Sequence, residues 1–160
     1  MDKRFFGGQP NHIDDVICAE IPPPSHSLHE SVVKMMIHGP CGVHNPNLKC
    51  MRNGRCKYGY PKDHVSETSI GEDAYATYRR RAPDEGGHTA RKFVRRNHQV
   101  SLTNSNVIPY SPYFLYKYDC HINFEYCASI QSMKYLFKYH FKGHDMATVQ
   151  LQTEENEAEH

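Results

Sequence analysis

The sequence predicts an α+β chain. Apolar residues recur at helical spacing over 28–37 and again over 129–142, while 119–127 alternates between apolar and polar side chains. A helix returns a face to the core every three to four residues and a half-buried strand every second one, so both element types are required.

The elements follow in chain order. Residues 1–27 hold one short apolar segment, 13–21, closed by Pro22-Pro23-Pro24, and read as a lead-in or linker. Leu28, Val32, Met35 and Met36 predict a short amphipathic helix over 28–37 that stops at Gly39-Pro40. Residues 38–64 are rich in Cys, His, Gly and Pro, and 65–106 are polar with little periodicity, expected as loop with a short hairpin. Pro109 and Pro112 predict an extended, turn-rich course for 107–118. In the strand expected at 119–127, Cys120, Ile122, Phe124 and Tyr126 point one way and His121, Asn123, Glu125 and Cys127 the other. A helix over 129–142 is capped by Gly143, and the acidic tail 153–160 is expected to be disordered.

The chain has the length of one domain, and ten Pro and ten Gly imply much loop. The sequence contains no apolar run of membrane-spanning length and no secretory h-region near Met1, so an intracellular protein is expected. The net charge of +1 conceals an asymmetry: four of the 18 acidic residues lie in the tail, leaving 14 against 19 basic groups before it. Arg79, Arg80, Arg81, Arg91, Lys92, Arg95 and Arg96 face only Asp84 and Glu85 within 79–96, a stretch suited to phosphate contacts or to a solvated charged loop.

Cysteines in a reducing compartment are metal ligands or small buried side chains more readily than disulfides. His38, Cys41, Cys50 and Cys56 have the spacing H-x2-C-x8-C-x5-C, with turns supplied by Gly39, Pro40, Gly42, Pro46 and Gly54. Four N/S donors gathered by short loops suit structural zinc, with His44 competing with His38 as the nitrogen ligand and three buried thiols as the alternative.

On the helix over 129–142, a step of about 100° per residue puts Ile130, Met133, Phe137 and Phe141 on one face. Tyr135 and Tyr139 fall on the polar side beside Lys138 and Lys142. Lysine-flanked phenols can attract phosphate and attack phosphorus, or simply pack against a partner.

The blocks MIHGPCG (36–42), Cys50 and Cys56 with Tyr60-Pro61-Lys62, YRRR (78–81), VIPYSPYFLYKYDCHINFE (107–125) and SMKYLFKYHFKGHD (132–145) together resemble the Rep region of Helitron rolling-circle transposases. The similarity runs from about Ile13 to Gln152. It implies a partial Rep fold of the His-hydrophobe-His endonuclease class over 28–152, with a zinc-knuckle-like insertion at 38–64 and a C-terminal tyrosine helix. Such an enzyme nicks and rejoins single-stranded DNA in the nucleus: a divalent metal, Mg or Mn, polarises the scissile phosphate, and tyrosines, here Tyr135 and Tyr139, attack it. In the family an ATP-dependent DNA helicase follows.

Two departures matter. The sequence has no H-hydrophobe-H triplet and no G-x4-G-K-[ST] phosphate loop. The expectation is therefore a fragment that lacks the upstream half of the Rep domain and is inactive alone. Ser105 and Asn106 stand where the family would have Arg and Trp, which implies divergence or decay of the element copy, and a decayed relic without a stable fold is a further alternative. His121 suits either a ligand or a structural hydrogen bond. The rival reading is a non-catalytic, zinc-dependent nucleic-acid-binding module.

Overall fold

The computed structural model describes residues 10–72, 75–95 and 98–126. The helix expected over 129–142, with Tyr135, Lys138, Tyr139 and Lys142, lies outside the described residues, as do Arg96, the side chain of Arg95 and the acidic tail. What is described mixes short helices with two-stranded antiparallel ribbons, the class the periodicities predict.

Leu28, Val32 and Met36 carry the first helix prediction. The helix α2 spans His29–Met35, after α1 at Pro10–Asp14, and the i, i+4, i+8 stripe of Leu28, Val32 and Met36 is buried. Beyond it Ile37 pairs with Val107, while the Ile108 N–H donates to the Met36 carbonyl at 2.7 Å and the His38 N–H to that of Asn106 at 2.8 Å. The chain leaves the helix already fastened to 106–108.

The hairpin expected within 65–106 is β5 (Ala90–Arg95) with β6 (His98–Leu102). Ala90, Val100 and Leu102 face the core; Arg91, Gln99 and Ser101 are exposed. The smaller ribbons β1–β2 (Met51–Arg52, Arg55–Cys56) and β3–β4 (Ser69–Ile70, Ala76–Thr77) join two residue pairs each. Ribbons of that size are marginal in water, so burial carries the fold. One cluster gathers Ile21, Leu28, Val32, Met36, Val107, Tyr110 and Leu115 with the β5–β6 face; a second gathers Ile13, Ile17, Ala19 and Tyr78. Each Val, Leu, Ile or Met side chain among them contributes about 1.5–3 kcal/mol.

Three expectations need correction. The segment 13–21 is not a mere lead-in: it supplies buried residues to both clusters, and Cys18 bridges to Tyr110. Part of 107–118 is helical, as α3 (Pro112–Tyr118). Pro112 occupies the first turn, where its missing N–H has no helical partner to lose, so it starts the helix. Residues 119–127 do not form a strand within the described range, which ends at 126. Ile122, Phe124 and Tyr126 are half-buried and His121, Asn123 and Glu125 exposed, yet no ladder forms. The alternation arises because Phe124 and Tyr126 lie on the Tyr78 cluster, with the Tyr126 N–H donating to the Tyr78 hydroxyl at 2.6 Å.

Candidate metal centre

Cys50 and Cys56 flank the β1–β2 hairpin. Asn53 and Gly54, with φ of 49° and 75°, make its two-residue turn, in which both residues need positive φ. Backbone bonds from Lys57 N to Cys50 O, 2.8 Å, and from Gly59 N to Cys56 O, 2.9 Å, close the loop at its base. On the other side, His38 is fixed by its bond to Asn106, and Gly39, at φ 88°, turns the chain so that Cys41 faces the hairpin.

The result is a cluster of His38, Cys41, Cys50 and Cys56 with all four donor atoms within 4.8 Å of one another. His38 Nε2 lies 3.3 Å from Cys56 Sγ. Tetrahedral zinc, with Zn–S about 2.3 Å and Zn–N about 2.0–2.1 Å, needs an S···N separation of about 3.6 Å, so the four residues are close enough to hold a metal. Between the competing histidines, His38 is the one in the cluster.

The surroundings favour ligation. Burial, reinforced by the Lys62 cation, lowers the His38 pKa and keeps the imidazole neutral. Burial pushes the Cys41 thiol up to about 12, and contact with Cys56 and Cys50 adds to it. Burial also acts to raise Cys56, but backbone N–H groups of Tyr60 and Tyr58 outweigh it and leave that thiol below its ordinary value. A bound cation would favour the thiolate form of its cysteine ligands. The His38 ring stacks on Tyr60 at 4.2 Å and meets Tyr58 edge-on at 5.8 Å, which fixes its orientation.

Gly39 has no room to change, since a Cβ there would sit 2.5 Å from the Cys41 backbone N. Gly39→Ala is expected to cost about 1–2 kcal/mol from the left-handed backbone alone and to weaken metal retention; chelator competition on the purified variant would read the loss.

Of the arginines expected to meet DNA, Arg80 is placed differently. Arg80 is buried, 4% exposed, and its Nη1 donates to the carbonyls of Asn104 at 2.7 Å and Val107 at 2.6 Å. That correction makes it an internal brace, because a guanidinium committed to two carbonyls cannot also reach a phosphate on the surface. Arg81 donates through Nε and Nη2 to the two oxygens of Glu20, at 2.9 and 2.6 Å. Arg79 lies 3.5 Å from both Asp14 and Glu20, and its Nε lacks hydrogen-bond geometry to any partner. Burial by itself raises the Glu20 carboxyl, but the hydrogen bonds and charge of Arg81 prevail and hold it below the ordinary carboxylate range. Arg79 and Arg81 keep partly exposed side chains; their nearest charges are internal.

His121 donates a 2.7 Å hydrogen bond from Nδ1 to the Met35 carbonyl at the end of α2, the structural alternative of the two it suited. Two features escaped the sequence reading. Asn53-Gly54 is a strong hairpin signal that would have placed Cys50 and Cys56 at the ends of one turn. Glu20 as the partner of Arg81 had no local signal, because 61 residues separate them. Among the described residues no helix is long and apolar enough to cross a membrane. Neither any family model nor any curated protein matches this chain.

Proposed function

We propose that this chain is a zinc-stapled part of a Helitron-type rolling-circle transposase, whose intact form nicks and rejoins single-stranded DNA through tyrosine-phosphate linkage at Tyr135 and Tyr139. The observation that carries the reading is the His38/Cys41/Cys50/Cys56 cluster. Its donors come from the MIHGPCG block and the cysteines downstream that also carry the family resemblance, and three sulfurs with one imidazole nitrogen suit zinc over harder cations. The zinc would be structural: four protein donors fill a tetrahedral shell and leave no open position for substrate.

Ser105 and Asn106, the departures from the family's Arg and Trp, are consistent with a folded chain. Thr103 Oγ1 accepts from the Ser105 N–H at 3.3 Å and Asn106 Oδ1 from the Thr103 N–H at 3.4 Å, so they close a capped 3-10 turn over Asn104–Asn106. The carbonyls of Ser105 and Asn106 then hold Lys62 and His38, on either side of the metal loop.

Strand cleavage needs metal ligands that this sequence does not supply as a His-hydrophobe-His pair. The purified 160 residues are expected to bind single-stranded DNA and to leave it uncut with Mg or Mn present. Cleavage should appear only when a segment bearing the His pair is supplied, and should vanish with Tyr135→Phe. Metal-dependent cutting by the chain alone would overturn the inactive-fragment part of the reading; no cutting with the His pair restored would overturn the transposase part.

A second reading, a non-catalytic zinc-dependent nucleic-acid-binding module, is favoured by exposed tyrosines paired with lysines. Lys57 lies over Tyr58 at 4.7 Å, and Lys117 over Tyr118 at 5.3 Å. Binding that survives Tyr135→Phe and Tyr139→Phe, with no cleavage under any of these conditions, would select it.

A further inference from the structure

Beside the metal loop runs a groove of about 650 Å³, with Cys41, His44 and Arg55 in one wall and Ser101, Thr103 and Asn106 in the other. Ser101 ties it to the outer face of the β5–β6 hairpin, where it is the direct cross-strand partner of Arg91, and Phe93 is that of Gln99. In an antiparallel ribbon such pairs share a face. Arg91, Phe93, Gln99 and Ser101 therefore form one outward surface that continues into the groove, and all four are exposed, Phe93 to 69%.

We propose that this groove and hairpin face form a track for single-stranded DNA, with Phe93 as the base-stacking platform and Arg91 and Arg55 as phosphate contacts. The inference rests on the nucleic-acid reading above and assigns it a surface other than the tyrosine helix or Arg79–Arg81.

Three observations support it. Phe93 holds its ring in water at the edge of a register shift between Phe93 and Arg95, while Val100 and Leu102, on the opposite face of the ribbon, are anchored in the core. A large exposed aromatic beside an arginine is what unpaired bases stack on. The charge is also one-sided. Neither 31–62 nor 86–118, the stretches that supply both walls and the hairpin, contains an Asp or Glu, whereas they carry Lys34, Lys49, Arg52, Arg55, Lys57 and Lys62, and Arg91, Lys92, Arg95, Arg96 and Lys117. Of these, Arg55 lines the groove and Arg91 lies on the outer face of the hairpin, and no lining residue of the groove is acidic, which suits a phosphate backbone. Finally, the metal cluster builds one side of the groove through Cys41 and Cys56, which gives the staple a role in positioning the track.

The test is the affinity of the metal-loaded full chain for a fluorescent oligothymidylate of about 12 nucleotides, measured across a salt series. Phe93→Ala should weaken binding on the order of tenfold and Phe93→Trp should retain it, as stacking on one base predicts. Arg91→Ala and Arg55→Ala should each flatten the dependence of log affinity on log salt by about 0.7. All three side chains are exposed, so circular dichroism and metal content should match the unmodified chain. Binding by the unmodified chain that none of these variants alters would overturn the track and leave the transposase reading standing. Absence of any binding by the unmodified chain would overturn both. Equal affinity for a duplex of the same length, or displacement by polyglutamate as effective as by unlabelled oligothymidylate, would overturn the single-strand assignment in favour of a duplex or an acidic peptide.

Discussion

Cys50→Ser protein is expected to purify without zinc, whereas the unmodified chain should carry one zinc per molecule, and residues 38–62 of the variant should lose their order. The reason is where the apolar groups lie. Neither hydrophobic cluster takes a residue from 38–69, so this stretch has no core of its own. Within it, 38–62 is held by a two-pair ribbon, the bond from the Tyr60 hydroxyl to the Val107 carbonyl and a few backbone bonds, and a ribbon of that size does not stand alone in water. Structural zinc in small peptides supplies about 10–16 kcal/mol, comparable with the whole stability of a domain, about 5–15 kcal/mol. The metal contribution therefore outweighs everything else acting on 38–62. Loss of one thiolate should weaken metal affinity by more than the 10–100-fold that outer-shell partners alone are worth. Hydrogen exchange would show the effect as local: protection lost over 38–62 and kept in α2 and β5–β6, whose burial does not depend on the cluster. Global unfolding on chelation would contradict this division, and full zinc retention by Cys50→Ser would remove Cys50 from the site.

Glu20→Ala is expected to destabilise the chain by about 1–3 kcal/mol, the cost of removing a hydrogen-bonded buried partner, since the carboxylate is buried while the Arg81 side chain is 41% exposed and can turn to water. Glu20 is 6% exposed and receives the Arg81 backbone N–H as well as both arms of the Arg81 fork. Its backbone carbonyl accepts from the Tyr110 hydroxyl at 3.0 Å, so the residue joins the Arg79–Arg81 segment to the core. Truncation strands the arginines, and Gln would keep the shape but lose the charge. The pH dependence follows from the lowered carboxyl. Its unfolded value is near 4.5 and its folded value lies below that. The contribution is therefore fully present above about pH 4.5 and is lost as the pH falls through the folded value. Urea midpoints of the unmodified chain and Glu20→Gln should differ most near neutrality and converge in acid. A constant difference across that range would show that the carboxylate charge is not what stabilises the segment.

Local pattern and long-range packing were not equally readable in the sequence. The α2 stripe, the stop at Gly39-Pro40 and the hairpin within 65–106 were legible because each depends on neighbours within a turn or two. Cys41, Cys50 and Cys56 with a histidine, His38 or His44, were legible for the same reason, since short loops limit which donors can meet. Periodicity misled at 119–127, where alternation records contact with the Tyr78 cluster and not a ladder. It was silent at 13–21, whose few apolar residues gain meaning only from the surfaces that cover them.

The sequence by itself determined the mixed α+β class, the three cysteine donors with a histidine from His38 or His44, and the acid-free composition of 31–62 and 86–118, since spacing and charge are properties of the chain in any conformation. Only the tertiary structure decided that His38, and not His44, completes the cluster. It also turned Arg80 inward to two carbonyls, gave Arg81 to Glu20, and left Phe93 outside beside Arg91. Those outcomes depend on residues about 20 to 60 positions apart, and no local periodicity encodes which distant group a side chain will meet.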